Sequence, residues 1–251
     1  MSMRLFDVQC GFGGLKTGSR EVLPADGLLA ELDRLQIEKA LVRISPEDLD
    51  RDVAGSNERL FAACDASAGK WAPCPIVLPA TGGDVAEEAA QVEGLLARGA
   101  AAAVVRPTLD MWPLEEWCGG KLLAALEAHR VPVLCMTKLV PLADVARLAQ
   151  AHPRLPLVVA ETDYRSQRAL GGLLGSFPNV YLSVGSNYAV HLGLETLAAQ
   201  VGAERLLFGT GLPRVQGMMA VTHLMYSELT DSQKQAIGWD NLHRLIGGIR
   251  K

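Results

Sequence analysis

Aromatic side chains are scarce in this 251-residue chain, at 5% of residues, while half of the residues are hydrophobic. That balance excludes an aromatic-rich all-β fold and suits Val/Leu strands packed under Ala/Leu helices. No basic run accompanies the net charge of -4, so neither nucleic acid nor an anionic membrane is an expected partner. No apolar run reaches the roughly 18 residues that a membrane span requires. Strand-like residues begin by Arg4, which leaves no room for a signal peptide, so a cytoplasmic protein is expected. The five cysteines, Cys10, Cys64, Cys74, Cys118 and Cys135, are odd in number and form no C-x-x-C pair. A disulfide framework and a zinc knuckle are both excluded on that count, and buried free thiols are expected.

What is present is an alternation. Short β-rich runs at Leu5–Gln9, Ala40–Ile44, Pro75–Leu78, Ala102–Arg106, Val131–Met136, Leu157–Glu161, Val180–Val184 and Leu206–Gly209 take turns with longer Ala/Leu-periodic segments. The helical segments are Gly27–Leu35, Asn57–Asp65, Val85–Ala97, Leu114–Ala128, Leu142–Gln150, Gln167–Leu174, His191–Gln200 and Gln216–Ser227. A further helix starts near Gln233, and Asn241-Leu-His-Arg-Leu-Ile reads as a helix resumed at an Asn cap. Gly99, Pro132, Pro156, Pro178 and Gly202 stop helices just ahead of strands. Eight such units in about 250 residues, with no linker between them, predict one α/β domain over 1–251: a (β/α)8 TIM barrel with an extra C-terminal helix. The rival is an open doubly wound sheet with its phosphate turn at Gly11-Phe-Gly-Gly, but Lys16 stands where the third glycine of G-x-G-x-x-G belongs.

Several segments together resemble the amidohydrolase superfamily, in its amidohydrolase-related branch of decarboxylases and lactonases. They are Phe6-Asp-Val-Gln-Cys-Gly-Phe-Gly13, Leu32 to Val42, Gly99 to Pro107, Val131 to Thr137, Leu157-Val-Val-Ala-Glu161, Pro178 to Ser183, Arg205-Leu-Leu-Phe-Gly-Thr-Gly-Leu-Pro213 and Asn241-Leu-His-Arg-Leu. The resemblance implies a metal site at the strand ends, with Asp-x-His-x-His on the first strand. At those positions this chain carries Gln9 and Gly11, then Met136 and Glu161 for the histidines of the fifth and sixth strands, and Gly211 for the aspartate of the eighth. A catalytic zinc needs about three converging N, S or carboxylate ligands, and neither glycine nor a thioether supplies one to a hard cation. No metal or other cofactor is therefore expected. Cys10 and Cys135 lie one residue from the ligand positions, and strand alternation turns them to the opposite side. His129 and His152 fall at helix C-termini, His191 begins a helix, and His223 and His243 lie within helices, so none ends a strand.

The site of a barrel of this class is the C-terminal rim of its strands. The residues expected there are Gln9, Arg43, Arg106, Met136, Glu161, Asp163, Ser183, Asn187, Gly211 and Arg214. Arg106 and Glu161 are the two charges expected to point inward, either paired with each other or with Arg106 holding an anion while Glu161 acts as general acid or base. Gln9, Arg106, Met136, Glu161, Gly211 and Arg214 form the candidate ligand site, for a small anionic molecule, and Glu161 is the candidate catalytic residue. The amides of Gly209 to Arg214 could hold phosphate or simply turn the chain. The glycine-rich Gly11–Pro24 segment, with Lys16 and Arg20, reads as a loop over the mouth. Trp112 and Trp117 either line the rim or pack the next helix. Three function classes follow: a metal-independent hydrolase-like or ligand-binding protein, a catalytically inactive pseudoenzyme with a structural, metabolite-binding or partner-binding role, and a weak metal enzyme using Asp7, Gln9 and Glu161. Oligomeric state is not read from these residues, and the resemblance points to a homodimer.

Overall fold

The computed structural model describes residues 3–14, 22–45 and 52–250. Its first strand, β1 (Phe6–Gly14), pairs with β3 (Lys39–Ile44) in parallel and with the short β2 (Val22–Leu23) in antiparallel fashion. Helix α1 (Ala25–Arg34) crosses between them and buries Leu28 and Leu32, one turn apart on a single face. Helix α2 (Val53–Ala66) begins earlier than its apolar periodicity suggests, because the Asp52 side chain accepts from the Gly55 amide and caps it. The segment read as a loop over the mouth is thus strand at both ends, and Lys16 and Arg20 lie outside the described residues.

The third barrel strand is displaced from its expected span. It forms as β4 (Trp71–Pro73) beside β3, and continues only as a bridge from Ile76 to Val104. Pro73 and Pro75 have no N–H to give a ladder, so pairing changes sides there: the Cys74 amide donates to Val42 and the Val77 amide to Val104. Next come α3 (Glu88–Ala97) and β5 (Ala103–Val104). That strand is short because Pro107 starts a turn of helix, α4 (Pro107–Asp110), with Arg106 at its N-cap.

Regular βα units follow: α5 (Glu116–Ala128), β6 (Val133–Met136), α6 (Leu142–Ala151), β7 (Leu157–Ala160), α7 (Gln167–Ser176), β8 (Val180–Val184), α8 (Gly193–Val201), β9 (Leu206–Phe208) and α9 (Gly217–Met225). Strands β5 to β9 form a parallel sheet in sequence order, joined to the first sheet by the Ile76–Val104 bridge. The ring closes beyond β9, where the Gly211 amide donates to the Gln9 carbonyl and the Gly11 amide to the Leu212 carbonyl. The chain is a TIM barrel, with eight parallel strand positions around a core of Val, Leu, Ile and Ala.

At the N-terminal end of the strands, α10 (Asp231–Gln235) is started by a Thr230–Gln233 capping box and runs through a π-helical turn into α11 (Asn241–Gly247). Asn241 is therefore not a cap. It is fully buried within a continuous helical segment, and its amide nitrogen donates to the carbonyls of Ala203 and Leu206 at 2.8 Å each. No helix among the described residues is long and apolar enough to cross a membrane.

Candidate active site at the barrel mouth

Several strands deliver polar groups to the rim, and the groups pair differently from expectation. Glu161 follows β7 with a left-handed φ of 60°, a conformation that costs a non-glycine residue about 1–2 kcal/mol. Thr137 holds it there by donating its hydroxyl to the Glu161 carbonyl at 2.8 Å. So aimed, the carboxylate accepts from Arg43 Nη2 at 3.1 Å and from Arg214 Nη1 at 3.2 Å. Arg43 and Glu161 are almost sealed from solvent, with side chains 2% and 8% exposed, whereas Arg214 keeps 24%.

The expected Arg106–Glu161 pair is not formed. Arg106 turns its fork back on Asp110, one helical turn along α4, through bonds of 3.0 and 2.7 Å. Its position at the N-cap of that turn decides the matter, since a residue four places on is within reach at no cost in ordering. Arg43 was placed on the rim by sequence but not recognised as an inward charge. The i to i+4 spacing of Arg106 and Asp110 was the one signal that could have corrected the assignment.

Gln9 is buried and accepts from Ser183 Oγ at 2.8 Å. Asp7, fully buried on the same strand, accepts from the amides of Gln9 and Thr210 at 2.8 and 3.0 Å and from the Thr210 hydroxyl. No cationic side chain among the described residues pairs with it. Burial pushes its pKa up, and the hydrogen bonds from Thr210 and Gln9 only partly offset this. The Gly209–Arg214 stretch turns the chain: Gly211 adopts a φ of 79°, and the Thr210 side chain is spent on Asp7 and the Leu212 amide. Met136 ends β6 buried among apolar neighbours, and Asn187 is exposed. Asp163 accepts from the Arg165 amide and caps a short turn.

Among the described residues, the buried polar groups without a hydrogen-bond partner include Arg43 Nε and, next to Glu161, Thr162 Oγ1. Buried donors of this kind are rare in folded proteins. The five cysteines are buried thiols. Burial alone pushes Cys135 up to about 12 and, together with the Asp7 carboxylate, raises Cys10 well above the ordinary thiol range, so neither is a ready thiolate. His129 and His152 cap α5 and α6 at the far end of the barrel, and His191 precedes α8 by two residues. Trp112 packs against Gly119 of α5, while Trp117 is exposed.

A parallel α/β barrel whose strand ends carry its polar groups defines the class of this protein. It belongs to the amidohydrolase family, whose sequence profile matches residues 19–248. Solved structures of the same fold include an uncharacterised TIM-barrel protein from Bordetella bronchiseptica, at 18% identity and a TM-score of 0.77 over 98% of this chain and 99% of that one. Another is 5-carboxyvanillate decarboxylase from Sphingomonas paucimobilis, at 13% identity and a TM-score of 0.75 over 98% and 99%. A third is dihydroxybenzoic acid decarboxylase from a Polaromonas species, which contains manganese, at 14% identity and a TM-score of 0.74 over 98% and 97%. No curated protein gives a significant match.

The residues present do not fit such a cation. Among the described residues no three His, Cys, Asp or Glu side chains converge. Both oxygens of Glu161 are taken by guanidinium groups, the Gln9 oxygen is taken by Ser183, and Asp7 is bound to the Thr210 backbone and hydroxyl. Nor would restoring a side chain at position 11 be simple, because a Cβ on Gly11 would lie 2.6 Å from the Arg43 carbonyl oxygen. Positive charge is already supplied at this point by two arginines.

Proposed function

We propose that the barrel mouth binds a small carboxylate-bearing molecule through Arg43 and Arg214, without a resident divalent cation. The observation that carries this reading is the doubly held Glu161: the mouth already grips one carboxylate between two guanidinium groups, and leaves Arg43 Nε and Thr162 Oγ1 unpaired beside it. A planar guanidinium fork matches a carboxylate, and a ligand that took over from Glu161 would use donors already fixed in place. The decarboxylases of the same fold are named for aromatic carboxylates, 5-carboxyvanillate and dihydroxybenzoic acid, and this is the ligand class proposed. Hydrolase-like turnover would require Glu161 to leave its two cations and handle a proton of a bound water or substrate.

The test is a thermal-shift titration with benzoate and ring-substituted benzoates. A ligand at one hundred times its Kd stabilises the folded state by about 2.7 kcal/mol. Benzoates are expected to raise the Tm of the native protein, Arg214→Ala is expected to abolish most of that rise, and Glu161→Gln, which removes the internal competitor, is expected to enlarge it. No rise with any carboxylate, or an equal rise in Arg214→Ala, would dispose of the proposal. Should an ester, lactone or amide be found to turn over, unchanged turnover in Glu161→Gln would remove Glu161 from any catalytic role.

A second reading, that of an inactive relative with a structural role, is favoured by the self-sufficiency of the neighbouring groups. Gln9 is matched to Ser183, Asp7 to Thr210 and Arg106 to Asp110. The same titration separates the two, since a purely structural network takes up no carboxylate.

A further inference from the structure

At the opposite end of the barrel, below β6, β7 and β8, a cleft of about 430 Å³ is lined by Arg130, Arg154, Tyr181 and Arg244, with Pro178 and Leu245 among its apolar walls. Helices α5 and α6 end there, and the negative ends of their dipoles favour basic residues, which would account for some of this charge. The other half of the same face shows what that effect alone produces. Arg34 at the end of α1 pairs with Glu31, Lys70 after α2 pairs with Asp33, and Arg98 after α3 pairs with Glu58. In the cleft only Arg154 has a carboxylate partner: its guanidinium lies 3.7 Å from Glu127, which also accepts from the Arg154 amide at 2.8 Å and lies 3.5 Å from His152, while Arg130 and Arg244 have none among the described residues. A chain of net charge -4 thus places three arginines around one concavity, two of them without a carboxylate partner among the described residues.

The backbone of this cleft is also held in place, and with it one of the guanidinium groups. Asn179 donates to the carbonyls of Ala149, His152 and Leu155, which fixes the loop bearing Arg154. Arg244 donates to the Glu204 carbonyl and to Asn241 Oδ1. Arg130 occupies a left-handed turn with a φ of 54°, its side chain bonded to nothing among the described residues.

We propose that this cleft is a second ligand site, for a phosphate-bearing small molecule of about mononucleotide size. Three guanidinium groups exceed what one carboxylate requires and match the charge and acceptor number of a phosphate monoester. The volume falls in the usual range of ligand pockets, and Tyr181, Leu245 and Pro178 offer the apolar surface that a flat ring would cover. This inference is independent of the reading of the mouth.

Calorimetric titration with adenosine monophosphate, inorganic phosphate and benzoate tests it. Adenosine monophosphate is expected to bind at one site, more tightly than phosphate, and to weaken with added salt. Arg130→Gly, whose backbone suits glycine, and Arg154→Gln are each expected to weaken that binding roughly tenfold, while Arg214→Ala at the mouth leaves it unchanged. Absence of saturable binding by either phosphate compound would overturn the proposal. So would undiminished affinity in Arg130→Gly, or loss of the nucleotide in Arg214→Ala, which would place it at the mouth instead.

Discussion

Asp7 shows how one side chain can hold a seam and leave a titration signature. It joins β1 to the chain beyond β9 through Thr210, and is fully buried with no cationic partner among the described residues. Because burial raises its folded pKa above the ordinary aspartate value of 3.8, the folded state keeps its proton more firmly than the unfolded chain. Stability must then fall as pH rises from about 4 towards that raised pKa, and level off above it. Asp7→Asn removes the titration, so its stability relative to the native protein is expected to be less unfavourable at pH 7 than at pH 4. Urea denaturation at the two pH values measures the difference, and a gap that widens with pH would contradict the assignment. The residues of the candidate site were partly legible at this scale. Glu161 and Arg214 were both named from sequence, and both reach the mouth. Arg43 was not recognised as Glu161's partner because alternation along a strand says which side a residue faces and nothing about which charge, across the barrel, will meet it.

At the scale of elements, the βα alternation was legible because its period is local: apolar runs, helix stops at Gly and Pro, and the turn of helix starting at Pro107 are all short-range effects. The failures are also physical. Proline at 73 and 75 moved the third strand from Pro75–Leu78 to Trp71–Pro73, and Asn241 proved to be a tertiary bond rather than a cap. Its side chain ties α11 to the carbonyls of Ala203 and Leu206 at the start of β9, a contact between segments some 35 to 38 residues apart. Nearby, Trp239 packs on Phe6 with ring centroids 5.4 Å apart, so the C-terminal helices close the lower end of the barrel. Asn241→Ala would remove both bonds and leave the Ala203 carbonyl with only the Leu206 amide, for an expected loss of about 1–3 kcal/mol by urea denaturation. A loss below about 0.5 kcal/mol would mean that the bond is incidental to how the helix docks.

For the whole molecule, the amidohydrolase barrel and the donor set of its mouth point in different directions, and metal content decides between them. Protein purified without a histidine tag is expected to contain far less than one equivalent of zinc or manganese by elemental analysis. A stoichiometric ion lost together with Glu161→Gln would instead establish a cation site at the rim. The sequence by itself determined the barrel and which side chains stand at positions 9, 11, 136, 161 and 211, because strand and helix periodicity and a side chain's lone pairs are properties of residues in order. Only the tertiary structure decided that Glu161 pairs with Arg43 and Arg214 while Arg106 pairs with Asp110. Ion pairing depends on distance through space and on exclusion of water, and closing the ring brings together charges 118 residues apart that no local pattern connects.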